Sequence, residues 1–315
     1  MKSAHLHLRL VIVLVVAISG RASFCQPNSK NAMTRARVFA EAGKYSEAET
    51  VLRDAIQIDP ASADAHFLLG YVYFREQKPK ESLAEFTAGA RFRRPAADDF
   101  RIIASDYVLL GDYPDAEKWF SEVTKEEQGN PVDWYFLGRT QYNENHFEAA
   151  IASFERALTL RPHYIEAENN LGLAWQGLNN PDRAMAAFHL AIDWQLEKPK
   201  DAQPYLNLGA SLTDQNHADE ALTYLKIAAN LAPMNPKIHE ELARAYESES
   251  KLADAQHELE AAASLAPNVS ALHFKLGRIY SREGLRARAQ QQFGICAKLD
   301  GTHSSSTTPN PYTLK

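Results

Sequence analysis

The chain lacks the cysteines needed for crosslinking and the sequence motifs of several enzyme classes. Its 315 residues include only two cysteines, Cys25 and Cys296, so neither a disulfide framework nor a cysteine metal cluster can be built. It has no P-loop, G-x-G-x-x-G or G-x-S-x-G motif. The His-Glu pairs at His239 and His257 lack the second histidine of a zinc-protease motif. The sequence therefore predicts a protein that is not an enzyme and needs no cofactor or metal.

Excess positive charge is also absent. The chain has 34 Lys and Arg against 40 Asp and Glu, a formal net charge of −6. Nucleic-acid binders carry a basic face or stripe, so we expect no nucleic-acid partner. The apolar run at residues 10–18 is too short to cross a bilayer comfortably.

Residues 1–25 have the order of a secretory signal peptide. Lys2 and Arg9 precede the apolar run, and small residues follow it. We therefore expect export to the periplasm or the extracellular space. The alternative is a lipoprotein signal in which Cys25 is acylated and anchors the protein in the cell envelope, although Phe24 fits that motif poorly. We expect contact with a membrane only in the second case.

A pattern of about 34 residues recurs along the rest of the chain. In the clearest copy, "WYFLGRTQY" at 134–142 is followed by Ala150, Phe154, Ala157 and Pro162. Large residues at positions four, seven and eleven predict an apolar helix stripe, and small residues at eight and twenty let two helices approach. A longer connection at 193–204 separates the fifth and sixth copies, and 301–315 has the composition of a disordered polar tail. The copies start near residues 29, 63, 97, 131, 165, 202, 236 and 270.

This pattern resembles the tetratricopeptide repeat, W-x2-L-G-x2-Y followed by Ala, Phe and Pro. The resemblance covers residues 29–300. It implies an all-α fold, a right-handed superhelical α-solenoid of about eight helix-turn-helix units. It also implies a non-catalytic scaffold for protein–protein interaction, with a peptide segment or a partner domain held in the concave groove.

In this family the groove is lined by positions two, five, six, nine, twelve and thirteen of each first helix. Arginine and tyrosine at such positions are typical of binding hot spots. Asn170 and Asn207 resemble the asparagine ladder of O-GlcNAc transferase, in which amides hold a peptide backbone. We expect their replacement by alanine to weaken partner capture without lowering the melting temperature. The candidate groove residues are Tyr71, Arg101, Tyr135, Arg139, Asn169, Asn170, Asn207, Arg244 and Arg278.

Two alternatives remain open at this stage. The chain is alternatively a structural or assembly factor of a bacterial envelope, secretion or pilus complex that acts through its outer surface or its ends. The polar residues at 286–292 either cap the last repeat or dock onto a partner or a second copy of the chain. His66, His239 and His273 share position four, where we expect packed core residues and where a shared metal is the alternative.

Overall fold

The computed structural model describes residues 27–303, with side chains from 31 to 301. This part of the chain contains sixteen α-helices and no strand. The predicted all-α solenoid of helix-turn-helix repeats is confirmed. The helices are α1 (Pro27–Glu41), α2 (Tyr45–Ile58), α3 (Ala63–Arg75), α4 (Pro79–Ala90), α5 (Ala97–Leu110), α6 (Tyr113–Glu126), α7 (Pro131–Asn143), α8 (Phe147–Leu160), α9 (Ile165–Gly177), α10 (Pro181–Asp193), α11 (Gln203–Asp214), α12 (Ala218–Leu231), α13 (Pro236–Ser248), α14 (Leu252–Leu265), α15 (Ser270–Arg282) and α16 (Arg286–His303).

The backbone repeats with the same period as the sequence. In each repeat, one residue between the first and the second helix has a positive φ, which closes the first helix with a left-handed turn. Glycine or asparagine, which tolerate this conformation, occupies six of the eight positions. The eight residues lie 34 apart, except across the longer connection, where the interval is 37: Gly43, Gln77, Gly111, Asn145, Asn179, Asn216, Ser250 and Gly284.

The small residue at position eight allows the two helices of a repeat to pack closely. A Cβ atom added at Gly70 would lie 2.8 Å from the ring of Phe86, and one added at Gly277 would lie 2.6 Å from the ring of Phe293. Both distances are shorter than van der Waals contact. Glycine is therefore required by the aromatic residue that the second helix presents at this level.

The helices form two compact units, which divide between Ser153 and Phe154. In the N-terminal unit, one core cluster is built around buried aromatic residues such as Phe86, Phe100 and Phe120. In the C-terminal unit, leucine and alanine predominate beside Phe188 and Tyr205. Each core lies between first and second helices, so the remaining faces of the first helices are left for other contacts.

The longer connection predicted at 193–204 is an ordered loop between α10 and α11. The amide oxygen of Gln195 accepts hydrogen bonds from the backbone N–H groups of Lys200 (3.1 Å) and Asp201 (3.0 Å), and its Nε2 donates to the Asp201 carbonyl (3.2 Å). One buried side chain therefore holds the loop closed. Beside it lies an open cleft of about 610 Å³ that contains Trp194 and His163.

Both chain ends carry predictions that fall outside the described residues. The signal peptide at 1–25, with Cys25, and the polar tail from 304 onward stay predictions. α16 continues to His303, three residues past the predicted end of the repeats at 300. Among residues 27–303, none of the helices is both long and apolar enough to cross a bilayer.

Candidate functional site

The first helix of each repeat contributes to a surface that we call the first-helix face. α3, α5, α7, α9, α13 and α15 begin at 63, 97, 131, 165, 236 and 270, where the sequence places the repeat starts. Within each unit, successive first helices lie against one another, for example α3 with α5 and α11 with α13. The groove positions of neighbouring repeats are thereby brought side by side.

In the N-terminal unit, this face contains an apolar cleft of about 350 Å³. Val108, Leu109 and Phe136 are large apolar side chains that remain 36%, 54% and 38% exposed. The ring of Phe136 stacks on that of the buried Phe120, with 5.7 Å between centroids, and is held in place by this contact. The residues that line the cleft are Phe74, Arg75, Gln77, Ser105, Val108, Leu109, Phe120 and Phe136.

These apolar residues are the part of the site that the sequence analysis missed. Phe74 and Val108 stand at position twelve, Leu109 at thirteen and Phe136 at six, all of which belong to the groove positions. The signal was an apolar side chain at a position that the packing of the repeat does not bury. The sequence-based prediction considered only arginine, tyrosine and asparagine at these positions and therefore missed the apolar residues.

Arg75 lines the apolar cleft and Arg139 lies close to it, and each arginine packs against a tyrosine ring. Arg75 Nη1 donates to the Tyr71 hydroxyl (2.6 Å), and its guanidinium lies 5.3 Å from the Tyr45 ring centroid and 5.7 Å from that of Tyr71. Arg139, one turn after Phe136, lies 5.7 Å from the Tyr135 ring centroid. Within the described part of the chain, neither arginine forms an ion pair with a carboxylate.

Arg101, on α5 between them, differs because it forms hydrogen bonds with three carboxylates. Its Nε and Nη2 donate to the two carboxylate oxygens of Asp133 on α7, at 2.7 and 2.8 Å, and further N–H groups reach Asp98 and Glu127. The hydrogen bond to the buried Asp133 is the main reason that the pKa of Arg101 is raised above its usual value. Arg101 therefore joins α5 to α7, and four of the five N–H groups of its guanidinium are used in these contacts.

The three candidate asparagines lie in the C-terminal unit, where their amides are bonded within the protein. Asn207 Nδ2 donates to Asn169 Oδ1 of the preceding repeat (2.8 Å), and Gln203 Nε2 donates to Asn207 Oδ1 (3.3 Å). Asn170 Nδ2 donates to the Glu166 carbonyl of its own helix (2.7 Å). The rung that forms is Asn169–Asn207 rather than Asn170–Asn207, and its amides stabilise the contact between α9 and α11. Because of this contact, we now expect Asn207→Ala to lower the melting temperature.

The two candidate arginines of the C-terminal unit also form hydrogen bonds with carboxylates of neighbouring residues. Arg244 Nε donates to Glu241 (2.7 Å) and its Nη2 to the Ala210 carbonyl (3.1 Å), while Nη1 reaches Asp214. Arg278 is exposed and donates to Glu247 (3.2 Å).

Lysines complete this network of ion pairs. Lys237 lies 3.1 Å from a carboxylate oxygen of Glu240 and 2.9 Å from one of Glu241. Burial opposes ionisation of Glu240, yet Lys275 and Lys237 outweigh it and lower its pKa. These charges are thus paired either within α13 or with a neighbouring first helix.

The three histidines at position four form a recurring structural contact. Nδ1 of His66 meets Glu85 (2.7 Å), and Nδ1 of His239 meets Glu258 (2.6 Å). In each repeat the residue contacted by Nδ1 is nineteen positions on, and Nε2 meets the carbonyl of the proline six residues earlier; His273 does the same with Gln292 and Pro267. Each ring thus ties its helix to the second helix and to the preceding turn. No group of three or more potential metal ligands occurs in the described residues.

Comparison with known proteins agrees with this architecture. A family model described as "TPR repeat" matches residues 36–77, and one described as "Tetratricopeptide repeat" matches 131–164. The type IV pilus assembly protein PilF of Pseudomonas aeruginosa is 25% identical over 166 residues, 52% of each chain. The human protein O-mannosyl-transferase TMTC1 is 24% identical over 225 residues, 70% of this chain but 25% of that protein. The chain thus spans about a quarter to a half of the length of these relatives.

Solved structures show the same fold. A tetratricopeptide repeat protein from Parabacteroides merdae superimposes with a TM-score of 0.65 at 16% identity, over 81% of this chain and 99% of that one. The pilus biogenesis factor PilW gives a TM-score of 0.58 at 24% identity, over 67% of this chain and 95% of that one. From the eight helix pairs, the left-handed turn in every repeat and these matches, the chain is a tetratricopeptide repeat protein.

Proposed function

We propose that the protein is a non-catalytic scaffold that binds a peptide segment of a partner protein on its first-helix face. The observation that carries this proposal is the apolar cleft of the N-terminal unit. Val108, Leu109 and Phe136 expose large apolar side chains side by side, and removing them from water is favourable. Tyrosine and arginine beside them are the residue types that dominate binding energy at interfaces.

The test is capture of partners with the full chain and with two matched leucine variants. Leu109→Glu places a charge in the cleft, whereas Leu190→Glu changes an equally large, exposed leucine on the second helix α10. We expect a partner identified by mass spectrometry to be lost with Leu109→Glu and retained with Leu190→Glu. Equal recovery with both variants would contradict the proposal.

A second candidate function is a role in assembling a bacterial envelope complex outside the cytoplasm. It is supported by the similarity to PilF and by the signal-peptide order of residues 1–25. An alkaline phosphatase fusion to the C-terminus of the full chain tests export, because this enzyme becomes active only after it leaves the cytoplasm. Activity that disappears on deletion of residues 2–18 supports export, and its absence from the full-chain fusion argues against it.

Self-association through the last repeat belongs to this second candidate. Gln290 and Gln291 are exposed on α16 and do not belong to the core. If α16 docks onto a second copy, light scattering of the purified chain shows a mass that rises with concentration. Changing both glutamines to glutamate then returns it to the monomer mass. A constant monomer mass for the unchanged chain excludes this route.

A further inference from the structure

We infer that the apolar cleft of the N-terminal unit selects a peptide whose bulky apolar side chain is flanked on both sides by carboxylates. This inference rests on the proposed function and adds the chemistry of the partner. It depends on which arginines of the first-helix face are already neutralised and which are not.

The arginines divide into two sets. Arg101 and Arg244 each contact two or more carboxylates, so their charge is neutralised and most of their N–H groups are occupied. Arg75 and Arg139 meet tyrosine rings and, among the described residues, no carboxylate within ion-pair distance. A guanidinium placed against aromatic rings keeps its N–H edge directed away from them, and a bidentate carboxylate is its preferred partner.

The charges around the cleft favour an acidic segment even though the whole chain is acidic. Of the carboxylates at groove positions, Asp64 is paired with Arg93, and Asp98 shares Arg101 with Asp133 and Glu127. Glu41 on α1 is the remaining acidic groove residue of the N-terminal unit within the described chain, and Arg37 stands one turn before it on the same helix. Arg101 lies near the start of α5, seven residues before Val108, whereas Arg75 lines the cleft and Arg139 is one turn from Phe136; these two cations have no ion-pair partner among the described residues.

Geometry sets the spacing of the charges in the peptide. Arg75 is on α3 and Arg139 on α7, and α5 between them carries Val108 and Leu109. Neighbouring helix axes are about 8–10 Å apart, so the two steps from α3 to α7 measure roughly 16–20 Å. An extended chain rises about 3.3 Å per residue, which places the two carboxylates roughly five or six residues apart. The apolar side chain lies midway, over α5.

The cleft is large enough for this side chain. Its volume of about 350 Å³ is at the lower end of the range of small-molecule pockets, roughly 300–1,000 Å³, so a phenylalanine or leucine side chain fits with room to spare. Most of its wall is apolar, since Phe74, Val108, Leu109, Phe120 and Phe136 outnumber the polar Arg75, Gln77 and Ser105, so burial there favours an apolar side chain over a polar one. The cleft therefore specifies an apolar residue, and the arginines specify the charges on either side.

The inference is tested with labelled heptapeptides and the full chain. The first peptide has glutamate at both ends, phenylalanine in the middle and alanine elsewhere. Matched peptides carry glutamine or lysine at both ends, or alanine in the middle. By fluorescence anisotropy at low salt, we expect the glutamate peptide to bind at least 10-fold more tightly than each of the other three. The Arg75→Gln/Arg139→Gln double variant is expected to bind the glutamate and glutamine peptides equally.

The outcomes separate this inference from the proposed function. Equal binding of the glutamate and lysine peptides, or selectivity that persists in the double arginine variant, overturns the inference. Partner capture that still depends on Leu109 would then leave the proposed function standing. If deleting residues 304–315 raises peptide affinity 10-fold or more, or if affinity falls as protein concentration rises, the cleft is covered by this chain or a second copy, and the assignment to a partner peptide is wrong.

Discussion

The first-helix faces of the two units are built from the same repeat positions but treat those positions differently. In the N-terminal unit, positions twelve and thirteen of α5 and position six of α7 hold exposed apolar residues, and Arg75 and Arg139 lie against tyrosine rings without an ion pair in the described chain. In the C-terminal unit, lysine, arginine, glutamate and asparagine at groove positions form ion pairs or hydrogen bonds with a neighbouring first helix. The first surface therefore exposes apolar side chains and two arginines without carboxylate partners among the described residues. On the second surface, many polar side chains form contacts that hold neighbouring repeats together.

The comparison shows that a polar residue at a groove position is weak evidence for a binding site. Arg101 and Arg139 stand in adjacent repeats and are the same residue type. Arg101 forms two hydrogen bonds with Asp133, whereas Arg139 has no carboxylate beside it in the described structure. What matters is whether the neighbouring repeat supplies the complementary group. The predictions below test this distinction, in order of decreasing effect.

The largest effect is expected from Arg101→Ala. It leaves Asp133, 2% exposed, as a buried carboxylate without its cation, and the loss of an ion-pair partner at such a site costs about 3–5 kcal/mol of unfolding free energy. Arg244→Ala is the comparison in the C-terminal unit. Glu241 there keeps Lys237 at 2.9 Å, so we expect a smaller loss of about 1–2 kcal/mol. Urea titration of both variants measures the difference, and equal losses would contradict the view that Arg101 is the one cation that pairs with Asp133 among the described residues.

The next effect concerns pH. Asp106 on α5 is fully buried, and neither of its carboxylate oxygens has a hydrogen-bond partner in the described structure. Burial raises the pKa of Asp106 from its ordinary value of 3.8 to about 7. The folded state therefore binds more protons than the unfolded state between these values, so its stability falls as pH rises from about 4 through 7.

Asp106→Asn removes this contribution. Compared with the unchanged chain, the variant is expected to lose less stability between pH 5 and pH 8, by on the order of 2 kcal/mol. Glu168 in the C-terminal unit, whose pKa burial also raises to about 7, provides the parallel experiment through Glu168→Gln. Urea titrations at the two pH values measure each change. A pH dependence that is the same in the Asp106→Asn variant as in the unchanged chain would show that this carboxyl is already ionised in the folded protein.

A smaller effect is expected from Asn207→Ala. It removes the hydrogen bond between Asn207 and the buried Asn169, which joins α9 to α11, and we expect a loss of about 1–2 kcal/mol with a lower melting temperature. Asn170→Ala is the control, because its amide bonds to the backbone of its own helix; a loss below about 0.5 kcal/mol is expected. Thermal unfolding followed by circular dichroism compares the two. An unchanged melting temperature for Asn207→Ala would restore the original expectation of a ladder reserved for peptides.

The smallest effect on stability is expected from Arg139→Gln. This arginine makes no ion pair within the described residues, so its replacement should change the unfolding free energy by less than about 0.5 kcal/mol. Binding of the glutamate-flanked peptide should nevertheless fall. A large loss of stability instead would place Arg139 with the structural arginines and remove the contrast with Arg101.

The sequence by itself determined the repeat and most of the fold. The 34-residue period, the small residues at position eight and the asparagine or glycine turns are local requirements, since each repeat forms the same two helices with the same contacts. It also identified which positions of each first helix are not needed for packing within the repeat.

Only the tertiary structure decided which of those positions pair with a neighbouring repeat and which do not. Arg101 meets Asp133 32 residues on, Asn207 meets Asn169 38 residues back, and Lys275 meets Glu240 35 residues back. These pairings depend on side-chain direction across neighbouring repeats, which the period does not encode. The apolar cleft arises for the same reason: Phe74, Val108 and Phe136 are unremarkable singly, and they form a surface because stacking places three successive first helices side by side.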